Sequence, residues 1–501
     1  MENDKREAKR RNTLAFLGRV ILGFSILTVL DVVALFFESA LDIHDFVTFV
    51  CLFLIILSLV LGAVLTRFYS FEQGPIVLSE GFFIVGMAWI TVSLIASLPF
   101  VALSPEYGRL EPYKAIFEAV SGMTATGLTV YDNVEMLPRA ILFWRSLTEW
   151  IGGLGVATVF LGFLIHYMPV ARSLYRGEGR EGDQIVIGNV LEMSKRVTVV
   201  YVMLTLLVFS LFRVLGMTTF DAINHSMTAI ATGGFSTKND SLAGYNLAIH
   251  YAAILGMFLG AISFDSHLNL FRNPVKNLKK FFNKETITLI LIPLAFSGLY
   301  LLMTYYSRVF SIRETHNYLF TAISAITGTG FSVSDVSQYS ELSKVTLIVL
   351  MVIGGCYGST SSAIKIFRLI ILWDILVWIV RKASYSPNVI VPLRVLGRQY
   401  KIEELMNSLA YVLLYILSLL AASMILMTIL GNSWSFVDVF FEVASAQGNV
   451  GLSVGISGPS IGVGSALVLI IVMLLGRLEI IPWVVFSYEL IRVCTRRPLK
   501  A

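Results

Sequence analysis

Ten apolar stretches, separated by polar and often basic connections, run along the chain at residues 14–37, 46–67, 80–103, 141–168, 197–217, 247–271, 286–306, 343–378, 405–430 and 463–491. A helix needs about 20 mostly apolar residues to cross a bilayer, so the pattern predicts ten membrane spans. The stretch at 343–378 is interrupted by Gly354-Gly355 and by Gly358-Ser359-Thr360-Ser361-Ser362, which argues against a straight helix there. Unwound backbone is tolerated at membrane depth only where protein encloses it or it lines water. The first run follows Lys5, Arg6, Lys9, Arg10 and Arg11 and extends from Thr13 to Phe37. That exceeds the roughly 7–15 residues of a signal-peptide core, so it reads as a span.

Basic residues orient the spans. The N-terminal tail, Arg172 to Arg196, Arg272 to Lys284, Arg381 to Lys401 and Arg492 to Lys500 are rich in Lys and Arg, and the positive-inside rule assigns all five to the cytoplasm. Both termini are then cytoplasmic, and segments 104–140, 218–246, 307–342 and 431–462 are external. Each external segment holds one copy of a short phrase: Ala125-Thr126-Gly127-Leu128-Thr129, Thr232-Gly233-Gly234-Phe235-Ser236, Gly328-Thr329-Gly330-Phe331-Ser332 and Asn449-Val450-Gly451-Leu452-Ser453. Gly127, Gly234, Gly330 and Gly451 lie 107, 96 and 121 residues apart, enough for one membrane hairpin and a linker per copy.

A helix-compatible run precedes each phrase. Counted back from the aligned glycine, position −6 is Ser121, Thr228, Ser324 and Ser445, and position −5 is Gly122, Ala229, Ala325 and Ala446. Position −10 is Phe117, Phe320 and Phe441, with Asn224 the exception; Pro112 stands where a first-turn proline is tolerated. The expectation is an all-α polytopic membrane protein: four pseudo-symmetric helix–pore loop–helix units around one central pore, preceded by two extra transmembrane helices. Its divisions are a tail at 1–13, the two extra helices at 14–75, repeat 1 at 76–170, a linker and repeat 2 at 171–272, a linker and repeat 3 at 273–380, and a linker, repeat 4 and tail at 381–501.

Composition agrees and narrows the chemistry. Charged residues are 14% and hydrophobic residues 56% of the chain, with mean hydropathy +0.77; soluble domains carry about 25% charged residues. The net charge of +5 lies mostly in loops and tails, so it reports topology and not nucleic-acid binding. Cys51, Cys356 and Cys494 show no paired spacing, and His44, His166, His225, His250, His267 and His316 are scattered without metal-ligand spacing. A disulfide framework, a zinc enzyme and a phosphate-loop nucleotidase are all disfavoured.

A dehydrated alkali cation needs oxygen ligands, and rings of backbone carbonyls supply them. Glycine reaches the backbone angles that turn carbonyls toward one axis, and a preceding helix aims its negative end at the ion. The candidate filter is Thr124, Ala125, Thr126 and Gly127; Ala231, Thr232, Gly233 and Gly234; Thr327, Gly328, Thr329 and Gly330; and Gly448, Asn449, Val450 and Gly451. One such phrase alone would be an ordinary turn; four in register on one side point to a shared axis. A secondary carrier with broken helices is the competing class, but carriers usually show two related halves. No nucleophile–base pair supports an enzyme.

With Arg145-Ser146-Leu147-Thr148-Glu149-Trp150-Ile151-Gly152-Gly153-Leu154-Gly155, Gly354-Gly355-Cys356-Tyr357-Gly358-Ser359-Thr360 and Leu475-Gly476-Arg477-Leu478-Glu479, the chain resembles the TrkH branch of the Trk/Ktr/HKT superfamily of potassium transporters over nearly its whole length. Two helices before the first repeat favour TrkH over Ktr, and glycine at all four filter positions matches potassium-favouring members. The resemblance implies potassium uptake across a plasma (inner) membrane, a homodimer with one pore per protomer, and a cytosolic nucleotide-binding ring of the TrkA type that gates it. Potassium is then the permeant ligand, with no covalently bound cofactor.

The resemblance also implies a gate: an intramembrane loop below the filter, here Gly354, Gly355, Cys356, Tyr357, Gly358, Ser359, Thr360, Ser361 and Ser362. Relatives usually continue with more glycines, whereas Ser361, Ser362 and Ala363 stand here and stiffen the loop. The other reading is a glycine-rich helix crossing. Arg477, deep in apolar sequence, faces the ion path by resemblance; the alternative is a buried ion pair with a distant carboxylate. Lys365 is a further gate candidate, or snorkels toward the cytoplasm. Arg145 and Glu149, four apart, are expected to pair on one helix face. Asp132, Asn239 and Asp335 sit five residues beyond their filter glycines as candidate outer-mouth groups, and Glu118 and Glu442 at −9 are expected to complement helix dipoles.

Overall fold

The computed structural model describes residues 17–25, 46–68, 78–103, 108–155, 188–306, 311–386, 391–395, 398–399 and 402–495. The expected tail at 1–13, the spans beyond 25 and 155, most of the linker at 171–196 and the last six residues lie outside them. The described chain is helical apart from one antiparallel ribbon, β1 (Arg394–Val395) with β2 (Arg398–Gln399). Helix α1 (17–25) and α2 (Phe46–Phe68) cross at Gly18 and Gly62, where an added side chain would strike the opposite helix. Small residues permit such close approach.

Four units follow, each a long helix, a short helix, an extended segment and a second helix. They are α3 (Leu78–Ala102), α4 (Pro112–Met123) and α5 (Arg139–Gly155); α6 (Gly188–Val214), α7 (Thr219–Ala231) and α8 (Leu247–Ala261), which continues through α9 (Phe264–Arg272) and α10 (Pro274–Phe281). Then come α11 (Lys284–Tyr306), α12 (Ile312–Thr327) and α13 (Glu341–Ile353), followed by α14 (Ile366–Ala383); and α15 (Ile402–Leu430), α16 (Phe436–Gly448) and α17 (Val463–Arg477), followed by α18 (Ile480–Thr495). Within each unit the short helix packs against both neighbours. Between units, α5 packs on α7, α8 on α12, α13 on α16 and α17 on α4. The four units therefore close into a ring with one rotational sense.

Each short helix starts where the sequence supplies a cap. Thr218, Ser311 and Ser435 accept the backbone N–H of Asp221, Glu314 and Asp438, a Ser/Thr cap with an acid three residues on. In the first unit Pro112 takes the opening position instead.

Four helices are long and apolar enough to cross a membrane unaided among the described residues: Gly81–Ala102, Ser194–Val214, Lys284–Tyr306 and Leu405–Ser433, the first helix of each unit. The expected straight spans at 247–271 and 463–491 are not straight. The first bends by 98° between α8 and α9, and the second by 111° between α17 and α18. The reason is local hydrogen bonding. Helix α8 ends by giving its Gly260 and Ala261 carbonyls to the N–H groups of Thr360 (3.3 Å) and Cys356 (2.9 Å), while the Phe264 N–H that opens α9 donates to the Gly358 carbonyl (3.1 Å). The break in α8–α9 and the loop between α13 and α14 thus satisfy each other's orphan groups. At the other bend Glu479 takes φ 64°, and the Leu474 carbonyl accepts both the Leu478 N–H (3.3 Å) and the Trp483 indole N–H (2.7 Å).

Candidate functional site

All four short helices stop in the same way. Position −2 of each phrase is left-handed: φ is 49° at Ala125, 52° at Thr232, 71° at Gly328 and 52° at Asn449. Its N–H donates to the carbonyl at −5, and the N–H at −1 donates to the carbonyl at −6, at 2.8–3.3 Å in every unit. This is the paired Schellman closure. The small residues repeated at −6 and −5 are its acceptors. Three of the four left-handed residues are not glycine, a conformation that costs about 1–2 kcal/mol each for an L-residue, so the surrounding ring must hold them.

Beyond the cap the chain is extended, and burial alternates identically in the four units. Gly127, Gly234, Gly330 and Gly451 are half-buried; Leu128, Phe235, Phe331 and Leu452 are buried; Thr129, Ser236, Ser332 and Ser453 are half-buried; and the next residue is buried again. An extended strand sends alternate side chains to opposite sides, so the large apolar residue anchors each segment in the core while the glycine and hydroxyl residue keep the accessible side. The aligned glycines have φ of 83–93°. A Cβ on Gly127 would collide with the Gly233 carbonyl, on Gly234 with Thr329, on Gly330 with Val450 and on Gly451 with Thr126. Each glycine lies on the carbonyl of the next unit's −1 residue, and the fourth returns to the first.

Buried polar side chains fix these segments. Glu118 accepts the Thr129 hydroxyl (3.0 Å) and the Val130 N–H (3.0 Å); Glu442 accepts the Ser453 hydroxyl (2.8 Å) and the Val454 N–H (3.0 Å). Both sit at −9 and tie the short helix to +2 and +3, which corrects the expectation that they only complement helix dipoles. His225, at −9 of the second unit, reaches Ser236 at +2 (Nε2···Oγ 2.9 Å). Sequence reasoning missed it, although a polar residue at −9 in every unit was the available signal. Arg145 does not pair with Glu149. Its Nε donates to Glu118 (2.8 Å) and its guanidinium lies 4.0 Å from the Phe235 ring centroid. Glu149 instead accepts the Phe235 N–H (3.1 Å) and fills the space that a side chain on Gly233 would take. The reason is tertiary packing: α4 and α7 both pack against α5 and bring Glu118 and the Phe235 N–H to these two side chains.

The sixteen expected filter residues are brought into this one ring. Asn449 Nδ2 donates to the Thr126 hydroxyl (2.8 Å) across the fourth and first units, and the Thr124–Thr126 and Thr327–Thr329 hydroxyls meet at 2.6 and 2.9 Å. The expected outer-mouth groups have local roles: Asn239 accepts the Val134 N–H (2.8 Å), Asp335 accepts the Ser337 N–H (2.9 Å), and Asp132 is exposed.

Gly354–Lys365 is unwound and sits against the ring's inner layer, where the Thr360 hydroxyl contacts that of Thr232 (3.2 Å) and Ser361 Oγ lies where a side chain on Gly328 would go. Positive φ at Gly354, Gly358, Ala363 and Lys365 shapes it. Serines stiffen it: Ser361 Oγ accepts the Gly355 N–H (3.0 Å), and the Ser359 hydroxyl donates to the Cys356 carbonyl (2.7 Å). Arg477 is buried and ties the loop to the body, its Nη1 donating to the Thr360 carbonyl (2.8 Å) and Ser362 Oγ (3.3 Å) and its Nη2 to the Gly152 carbonyl (2.9 Å). It forms no ion pair among the described residues. Two residues on, Glu479 pairs with Arg368 (2.7 Å), whose Nη1 donates to the Ile364 carbonyl (3.0 Å). Residues 477–479 therefore hold the second half of the loop, from Thr360 to Ile364. Lys365 is buried over the Tyr357 ring (5.6 Å to the centroid) and does not snorkel.

Comparison with known proteins places this architecture. The TrkH family of cation transport proteins matches over residues 48–491. An uncharacterized cation transporter of Methanocaldococcus jannaschii is 31% identical over 399 residues, 79% of each chain. The Trk system potassium uptake protein TrkG of Escherichia coli K12 is 29% identical over 468 residues, 91% of this chain and 92% of TrkG. The crystal structure of the potassium transporter TrkH from Vibrio parahaemolyticus superposes with TM-score 0.81 at 24% identity, covering 95% of this chain and 98% of that one. The chain is thus a member of the TrkH family of cation transport proteins.

Proposed function

We propose that this protein carries potassium into the cell through a gated, channel-like pore whose filter is the ring of four extended segments. The observation that carries the reading is the closed cycle of Gly127, Gly234, Gly330 and Gly451, each seated on the next unit's carbonyl and each half-buried between buried neighbours. Four such segments offer backbone oxygens around one axis, as a dehydrated alkali cation requires, and the C-terminal ends of α4, α7, α12 and α16 point their partial negative charge at it. The relatives described as Trk system potassium uptake proteins supply the choice of potassium.

In this reading Gly354–Ser362 obstructs the path on the inner side of the filter, and Arg477 holds it there. Working assembly is a homodimer in the plasma (inner) membrane with both termini cytoplasmic, and a cytosolic nucleotide-binding ring of the TrkA type displaces the loop. The test is flux into proteoliposomes with a potassium or sodium gradient and no gradient of a second solute. Potassium should move down its own gradient and exceed sodium. Uptake that requires a proton or sodium gradient would replace the pore with a coupled carrier.

A further inference from the structure

We propose that His250 and His316 form a binding site for a divalent transition-metal ion, zinc being the probe of choice, at the junction between the second and third units. The two residues are 66 positions apart and lie within the first two turns of α8 and α12, at the ends of those helices remote from the intramembrane loop. Their rings are nearly parallel, with His250 Nδ1 and His316 Nε2 3.3 Å apart. His250 Nε2 lies 2.9 Å from the Leu242 carbonyl oxygen. A carbonyl only accepts, so Nε2 carries the proton and Nδ1 presents a lone pair. In the metal-free chain His316 Nε2 donates to that lone pair.

Zinc bonds imidazole nitrogen at about 2.0–2.1 Å, and two such bonds at the tetrahedral angle hold the nitrogens about 3.3–3.4 Å apart. The observed separation is already that of one edge of a zinc tetrahedron. Binding the metal therefore needs a small rotation of His316 and movement of its one imidazole proton from Nε2 to Nδ1. The Leu242 carbonyl supplies the outer partner that fixes the tautomer and orientation of a ligating histidine. His250 is buried, whereas His316 is half-buried and open to water. No third His, Cys, Asp or Glu joins the pair among the described residues, so water completes the coordination and the site is weaker than a four-ligand structural one. Its location gives it consequence. The contact of α8 with α12 is one of the four joints that close the ring, and a bound ion staples that joint.

The test is zinc titration of the purified full-length protein by calorimetry, with cobalt absorption as the coordination readout. One saturable ion per chain is expected. His250→Gln and His316→Gln should each weaken binding at least tenfold without lowering the melting temperature, and His316→Cys, which supplies a thiolate, should bind at least as tightly as the parent. Binding unchanged in both glutamine variants, or absent from the parent at submillimolar zinc, overturns the site. A glutamine variant that loses binding by unfolding is resolved by His316→Cys, whose failure to bind while folded also overturns it. Because binding is read without transport, failure here leaves the pore reading untouched, and failure of the pore reading leaves this site standing.

Discussion

Replacing Arg477 with Met keeps most of the side chain's volume and removes its charge and all its donors. In the structure those donors reach the Thr360 carbonyl at 2.8 Å, Ser362 Oγ at 3.3 Å and the Gly152 carbonyl at 2.9 Å. The first two link the loop to α17, and the third anchors the guanidinium to α5. A hydrogen bond from a charged donor is worth about 1.5–3 kcal/mol net. The 3.3 Å contact contributes less than the 2.8 Å one, so the tether amounts to about 2–3 kcal/mol, or roughly 30- to 150-fold in the ratio of seated to displaced loop at tenfold per 1.4 kcal/mol. Removing a fixed positive charge beside the path also eases cation passage, in the same direction. Basal potassium flux into proteoliposomes without any cytosolic partner should therefore rise by at least tenfold per folded molecule. Ser362→Ala, which loses only the long contact, should raise it less than threefold. Arg477→Lys keeps the charge and forms fewer bonds, so it should fall between. Flux and melting temperature must be measured together. A Met variant with unchanged flux per folded molecule would refute the tether, whatever its stability.

Other expected outcomes follow from the same geometry. Gly234→Ser or Gly330→Ser pushes a side chain into the next unit's carbonyl at φ 87° or 83°, so sodium permeation should rise relative to potassium; Gly298→Ser, in open space, should leave the ratio unchanged, and equal effects in reversal-potential measurements would remove the filter assignment. Deleting residues within Tyr357–Ser362 should raise basal flux while leaving selectivity largely intact; a change in selectivity without a change in flux would make the loop part of the filter. Arg145→Ala strands buried Glu118, a loss of about 3–5 kcal/mol, and should lower the melting temperature by several degrees, with Glu118→Gln in the Arg145→Ala background recovering part of it. A double-variant no more stable than Arg145→Ala alone would show that Glu118 is not the partner that matters.

The repeat and the four extended segments were legible because their chemistry is local. The Schellman closure needs residues at −6, −5 and −2 of one continuous stretch, so the small residues at −6 and −5 could be read off the chain. The bend at 262–263 was not legible, because the apolar pattern runs through it and its partner, the loop at 354–365, is more than ninety residues away; the bend at 478–479 rests on the left-handed backbone of Glu479, a non-glycine residue that gives no turn signal in the sequence. Arg145 shows a different failure: the i, i+4 rule found Glu149, while tertiary packing brought Glu118 nearer. His225 escaped because histidine and glutamate at −9 look unrelated until their common reach to the outgoing segment is seen. His250 and His316 meet only through the contact of α8 with α12, which no spacing in the sequence announces.

The ring's hand-to-hand packing, in which the second helix of each unit covers the short helix of the next and α17 returns to α4, bears on how the protein is made. As the chain leaves the ribosome, the first unit's short helix must wait beside an open flank until almost the entire polypeptide has been synthesised. Its Gly127 segment and the Thr126 hydroxyl acquire their last neighbours, Gly451 and Asn449, only when the fourth unit inserts. Chains truncated after residue 430 should therefore reach the membrane as three assembled hairpins with an unclosed circle, a form that quality-control proteases can recognise and that has no conducting axis.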